Sequence, residues 1–265
     1  MVLGICAFLG FAASVLSCVF SGIRDGRMIL MFLGIWLGAF VGLVIAFLLV
    51  LLVISLFIGK KEPEPDKHRW VHKVVKLVIE GLCQGGRVKL TVEGMEQIPE
   101  GKFLLVSNHR SMFDPIVTVQ AFRKYDLAFV SKLGNFKIPL VGNFIRYANF
   151  LSIDRTNPRN AIRTINAAAD YLKRDMVSIG IYPEGTRSMT DTMLPFHDGV
   201  MMIAQKAGVP VVVMTVENTE KIHKNFPLRS TPVRLRIKGV IPAEKVASSR
   251  TNELSAEARA MMEQG

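Results

Sequence analysis

Hydrophobic positions run without interruption at the start of the chain and become periodic only later. Residues 28–58, Met28 to Ile58, contain no charged side chain. As helix this is roughly 46 Å, more than the ~30 Å hydrocarbon core of a bilayer. Residues 1–23 form a second apolar run, long enough to span and richer in small residues. Small residues recur every fourth position in both: Gly10, Ser14, Cys18 and Gly22, then Gly34, Gly38, Gly42 and Ala46. Such ladders make smooth faces for close helix packing in lipid. Joined by the short polar link Arg24–Arg27, the runs predict an N-terminal transmembrane or membrane-embedded helical hairpin, residues 1–59.

Past the hairpin the pattern changes twice. Glu62-Pro63-Glu64-Pro65-Asp66 reads as a stiff polar linker. Trp70, Val71, Val74, Val75, Leu77 and Val78 then recur among His68, Arg69, His72, Lys73 and Lys76. That spacing fits a basic amphipathic helix on a membrane surface, and equally the first helix of a globular domain. Residues 60–84 are therefore read as linker and interfacial helix, and 85–265 as the globular domain.

Within that domain, β-branched runs at Val88–Val92, Phe103–Ser107, Ala128–Ser131, Val177–Tyr182, Val209–Val216 and Arg234–Gly239 predict strands. Asn157-Pro158 opens a predicted helix to about Arg174, and another runs from Gly199 to a stop at Gly208. Strands alternating with helices predict an α/β fold with a mixed, largely buried sheet flanked by helices. The tail from Ser248 reads as a polar, fraying helix.

Charge sharpens the picture. The chain carries +11, and residues 1–59 contribute only +1 through Arg24, Asp25 and Arg27. The globular part is thus strongly basic, which favours anionic partners. Next to an apolar hairpin, a lipid bilayer is the expected one. No nucleic-acid-binding module is recognisable, and no nucleic-acid partner is expected. Lys60, Lys61, Lys67 and Arg69 follow the second apolar run; the positive-inside rule then puts the globular domain on the cytoplasmic face. No positive n-region precedes the first run, which argues against a signal peptide. Cys6, Cys18 and Cys83 form neither a CxxC pair nor an even framework, so no metal site is expected.

The candidate chemistry lies where strands end. Phe103–Val106 leads into Ser107-Asn108-His109-Arg110-Ser111-Met112-Phe113-Asp114-Pro115. Asp114-Pro115 suits a helix start, and a loop of four residues allows the carboxylate to fold back onto the imidazole. An Asp bonded to one ring nitrogen fixes the tautomer and leaves the other nitrogen to take a proton from a hydroxyl. Alone, this spacing fits a helix cap beside a loop histidine just as well. Tyr182-Pro183-Glu184-Gly185-Thr186-Arg187-Ser188 ends a second strand, with a glycine for close backbone approach and an arginine fork for phosphate. Arg155 and Lys132 follow two further strand-like runs and extend a possible anion pocket.

Taken in order, these segments resemble the 1-acyl-sn-glycerol-3-phosphate acyltransferase (lysophosphatidic acid acyltransferase) family. Asn108-His109 through Asp114 is similar to its NHx4D block, and Phe150 through Arg155 to the block ending I-D-R. Tyr182 through Ser188 is similar to its F-P-E-G-T-R-S block, and Gly208 through Val212 to its V-P-V/I block. The departures are Tyr182 for Phe, Met214 where Pro is frequent, and His197-Asp198-Gly199 for a basic pair before glycine. The resemblance implies transfer of a fatty acyl group from a thioester to the sn-2 hydroxyl of 1-acyl-glycerol-3-phosphate, giving phosphatidic acid. His109 would be the general base and Asp114 its orienting partner. Lys132, Arg155, Glu184, Gly185, Thr186 and Arg187 would bind the lysophospholipid, and Pro210 would shape the acyl-donor side. The donor would be acyl-CoA or acyl carrier protein, a co-substrate, with no resident cofactor. No GxSxG elbow occurs, which implies direct transfer without an acyl-enzyme. The same chemistry on glycerol 3-phosphate, another lysophospholipid or a lyso-aminolipid, and a non-catalytic lipid-binding protein, are the alternatives.

Overall fold

The computed structural model describes residues 2–21, 25–57, 69–154, 157–190 and 192–264. Two compact units result, Met1–Lys61 and Glu62–Gly265.

The first unit is a pair of helices, α1 (Val2–Ser21) and α2 (Gly26–Phe57), both long and apolar enough to cross a membrane. They pack on each other, but not ladder to ladder. Gly10 faces α2 closely: a Cβ there would lie 3.1 Å from the Trp36 carbonyl. Trp36 Nε1 donates to the Ala7 carbonyl at 3.0 Å, and Phe11 meets Phe32 edge-on at 5.5 Å. Gly34, Gly38 and Gly42 instead look onto open space. The α1 ladder is a slot for bulky α2 side chains, and the α2 ladder lies on another face, a correction to the expected mutual packing. The link at residues 22–24 and the linker at 58–68 lie outside the described residues.

The second unit is built on a seven-stranded sheet of order β1-β7-β6-β2-β5-β3-β4. The strands are β1 (Val88–Glu93), β2 (Leu104–Ser107), β3 (Leu127–Lys132), β4 (Leu151–Ile153), β5 (Ser178–Ile181), β6 (Val211–Glu217) and β7 (Thr231–Ile241). All neighbours pair parallel except β6 with β7. Thus β2 to β6 all end at one edge, where the candidate loops begin. The sheet is mixed and flanked by helices, as expected.

Alternation along each strand divides the core in two. Leu104, Val106, Ile179, Ile181, Val211 and Val213 face one side. There they meet Ala168 and Leu172 of α6 (Pro158–Lys173), Ile203 of α7 (Met202–Ala207), Val246 of α9 (Ala243–Ser248) and Leu254 of α10 (Thr251–Glu263). Leu105, Phe129, Val212, Met214 and Leu235 face the other side. Ile79 and Cys83 of α3 (Arg69–Gly85) and Val117 of α4 (Asp114–Ala121) cover them. Helices α5 (Val141–Tyr147) and α8 (Ile222–Asn225) also belong to the domain.

Three sequence expectations change here. The apolar face of α3 packs on the core through Ile79 and Cys83, the second of its two readings. The tail does not fray: Leu254, Ala258 and Met262, spaced by four, are buried along α10. Strand β7, second in the sheet, buries one face only, alternating Val233, Leu235 and Ile237 with Arg234, Arg236 and Lys238.

Candidate active site

The loop between β2 and α4 is held as one rigid piece. Asn108 is buried and uses its side-chain amide as a strand would use its main chain. Its Nδ2 donates to the Val216 carbonyl at 3.0 Å, and its Oδ1 accepts from Val216 N at 2.8 Å. The loop is thereby sewn to the end of β6, 108 residues away.

Asp114 lies in the first turn of α4, with Pro115 next to it, and its side chain turns back into the loop. Oδ2 accepts from Arg110 N at 2.7 Å and Ser111 N at 2.8 Å, and lies 2.7 Å from His109 Nδ1. Oδ1 accepts from the Thr219 hydroxyl. The carboxylate is fully buried, and charge-assisted bonds of this kind offset the cost of burying it. Two main-chain donors on Oδ2 make it an acceptor, so the His109 proton belongs on Nδ1 and the Nε2 lone pair is available. The His109 side chain is 16% exposed, enough to meet a substrate.

Around the ring, Tyr182 stacks on His109 with centroids 4.1 Å apart and planes 11° off parallel. Phe129 stacks in turn on Tyr182 at 5.4 Å. Gly180 makes room for this column, since a Cβ there would fall 2.5 Å from the Phe129 ring. Burial, and then the nearby Asp114 carboxylate, push the Tyr182 phenol well above its ordinary range.

Glu184 reaches the same loop from β5. It is 3% exposed. Oε1 accepts from His109 N at 2.7 Å and Oε2 from Leu194 N at 2.8 Å. Ser188 N completes the grip by donating to the His109 carbonyl at 2.8 Å. Both main-chain groups of His109 are therefore bound by the Tyr182–Ser188 segment. Each Glu184 oxygen already serves an amide, which makes the side chain a brace for His109. Gly185 turns the segment with φ +69°, and a Cβ on it would meet the His197 ring at 2.9 Å.

The remaining sequence candidates divide. Thr186 and Arg187 are exposed just beyond Gly185, and Lys132 is exposed at the end of β3. All three belong to the sheet edge that carries His109. Arg155 lies outside the described residues, although β4 delivers the chain to that edge through Ile153 and Asp154. Pro210 is not brought to the site. It precedes β6 and its carbonyl accepts from Leu104 N at the start of β2, 3.1 Å away. The loop meets β6 at Val216, six residues and about 20 Å of strand further on. Met214 is inside the core. Thr219 and Asn108 carry the site without having been expected to. Among the described residues, no cluster of three or more His, Cys, Asp or Glu side chains is arranged to hold a metal.

The segment that carries His109, Asp114 and Glu184 is similar to known proteins. The family model described as Acyltransferase matches residues 89–217, which include the His109 loop, Glu184 and Val216. Over that segment the chain is similar to the acyltransferase family. A 1-acyl-sn-glycerol-3-phosphate acyltransferase of Salmonella typhimurium is 32% identical over 165 residues, 62% of this chain and 66% of that protein. A chloroplastic one of Brassica napus is 33% identical over 136 residues, 51% of this chain and 39% of that protein. The chain thus spans less than two thirds of the length of these curated relatives. The crystal structure of the 1-acyl-sn-glycerophosphate acyltransferase PlsC from Thermotoga maritima superposes with a TM-score of 0.59 at 28% identity. That match covers 82% of this chain and 85% of the other.

Proposed function

We propose that this acyltransferase moves a fatty acyl group from a thioester to the sn-2 hydroxyl of 1-acyl-glycerol-3-phosphate, forming phosphatidic acid at the cytoplasmic face of a membrane. The observation that carries the reading is the His109 Nδ1 to Asp114 Oδ2 contact of 2.7 Å, on a carboxylate already fixed by two amides and a hydroxyl.

His109 Nε2 takes the proton of the acceptor hydroxyl as its oxygen bonds to the thioester carbonyl carbon. Asp114 stabilises the imidazolium that forms. The tetrahedral intermediate collapses with cleavage of the C–S bond, and the imidazolium returns the proton to the departing sulfur. Lys132, Arg155 and Arg187 supply positive charge for the acceptor phosphate, while Gly185 and Thr186 let the backbone approach it. Glu184 enters as the brace of His109. Helices α1 and α2 keep the enzyme in the bilayer where acceptor and product reside, and the cations after α2 set the cytoplasmic orientation.

The test is a panel with the purified full chain in detergent. Acyl-CoA and acyl carrier protein are each offered with lysophosphatidic acid, glycerol 3-phosphate, another lysophospholipid and a lyso-aminolipid. Preferential acylation of lysophosphatidic acid is expected. Robust transfer to another acceptor with none to lysophosphatidic acid would sink the reading.

A further inference from the structure

A cavity of about 440 Å³ opens on the other flank of the catalytic loop. Asn108 and Arg110, the neighbours of His109 on either side, line it together with Thr215 at the end of β6. Its floor is the face of β7 that the core leaves uncovered, with Arg236 and Lys238, and α10 closes it with Arg259. Four cations thus line it against two carboxylates, Glu217 and Glu263.

Main-chain carbonyls aim Arg259 and Lys238, and carboxylates hold Arg259, Arg236 and Arg110. Arg259 Nη1 and Nη2 donate to the Leu194 and Met193 carbonyls at 3.0 and 3.1 Å, and Nε pairs with Glu263 at 2.8 Å. Lys238 Nζ donates to the Gln264 carbonyl. Arg236 is held at the rim by Glu93 at 2.9 Å and Glu217 at 3.7 Å. Arg110 pairs with Glu220 at 3.4 Å.

Direct transfer demands that both substrates occupy the enzyme together, and both carry phosphate. In the reading above, Lys132, Arg155 and Arg187 take the phosphate of the acceptor. We infer that the β6–β7–α10 cavity takes the phosphate-bearing carrier of the acyl donor. This rests on that reading. The cavity has the size of an ordinary ligand site, and four of its six charged lining side chains are cations. The flexible arm between phosphate and sulfur gives reach from the cavity to the His109 ring. Because Asn108 is locked to Val216, the cavity wall and the catalytic loop are one piece, and a donor seated there is registered against the base.

The shared chemistry is phosphate on a pantetheine arm, which coenzyme A and acyl carrier protein both offer. The full chain in detergent is assayed with lysophosphatidic acid and three donors: palmitoyl-CoA, palmitoyl-4′-phosphopantetheine and phosphate-free S-palmitoyl-N-acetylcysteamine. Arg236→Gln and Lys238→Gln are compared with wild type through the ratio of kcat/KM for each phosphate donor to that for the phosphate-free one. General damage to the fold cancels in that ratio. A fall of about tenfold is expected, the scale of one charged hydrogen bond lost. A fall for palmitoyl-CoA alone assigns the cavity to the nucleotide phosphates, and a fall for both assigns it to the pantetheine phosphate. Unchanged ratios overturn the inference, as does a rise in KM confined to lysophosphatidic acid.

Coenzyme A binding by calorimetry separates the two proposals. If the wild type acylates no acceptor, the functional reading falls. Coenzyme A that binds wild type and not Arg236→Gln still supports the cavity, and failure to bind wild type refutes it.

Discussion

Glu184 Oε1 accepts a 2.7 Å hydrogen bond from the main-chain amide of His109. A residue that the family resemblance assigns to the substrate is, in the folded chain, the support of the His109 main chain. Removing it leaves the amides of His109 and Leu194 without their acceptor, at about 1–3 kcal/mol each. Glu184→Ala should lower kcat by about 10–100-fold with little change in KM for the acceptor, because misplaced catalytic groups cost rate. Glu184→Gln, which keeps one carbonyl acceptor, should recover part of it. Steady-state kinetics decide: a KM effect without a kcat effect would return Glu184 to the substrate.

Thr219 makes a second prediction. Its hydroxyl donates to Asp114 Oδ1 from a fully buried position. Thr219→Val keeps the volume and removes the donor, at about 1–3 kcal/mol. The expected loss in kcat is about 5–50-fold, with acceptor KM unchanged. An unaltered rate would show that the two loop amides alone fix the carboxylate.

Tyr182 separates ring from hydroxyl. Tyr182→Phe keeps the stack on His109 and should retain most activity, whereas Tyr182→Leu removes it and should slow turnover about tenfold, the scale of one stacking contact. Alkaline stability gives an independent readout. The phenol is held protonated in the fold by burial and by Asp114, while in the unfolded chain it ionises near pH 10. Above that pH the folded state binds more protons than the unfolded one, so stability falls as pH rises. Tyr182→Phe should lessen that fall in denaturation curves taken about one unit either side of the ordinary phenol pKa. An identical pH dependence in wild type and variant would contradict the protonated phenol.

Gly185→Ala tests the turn. The backbone there has φ +69°, and the added methyl meets the His197 ring at 2.9 Å. Strain of about 1–2 kcal/mol and a displaced Arg187 segment should lower both thermal stability and acceptor affinity. Wild-type values of both would mean that the segment tolerates another conformation.

Six of the seven strands could be read from β-branched runs, because packing a strand between helix layers demands them along its length. β4 could not: Leu151-Ser152-Ile153 is too short for a pattern. The charge-bearing loops were legible because each follows a strand, and parallel strands bring their ends to one edge. What could not be read is which groups meet across long separations. Nothing near Thr219 signals a contact with Asp114, 105 residues away. Pro210 shows the converse. Its segment resembles a family block, yet a strand has two ends, and only the register Leu104 to Val211 tells that this is the far one. In the hairpin, small-residue spacing marked where helices can approach, but Trp36 and Phe40 decided which face of α2 meets Gly10.

The central claim is that His109, oriented by Asp114, is the base for acyl transfer, and one substitution tests it. Transfer from palmitoyl-CoA to lysophosphatidic acid by the full chain is measured beside His109→Ala, with binding to anionic vesicles followed in parallel. Loss of about 10²–10⁴-fold in rate with vesicle binding intact is the expected result. A variant that transfers acyl groups at the wild-type rate would contradict the account.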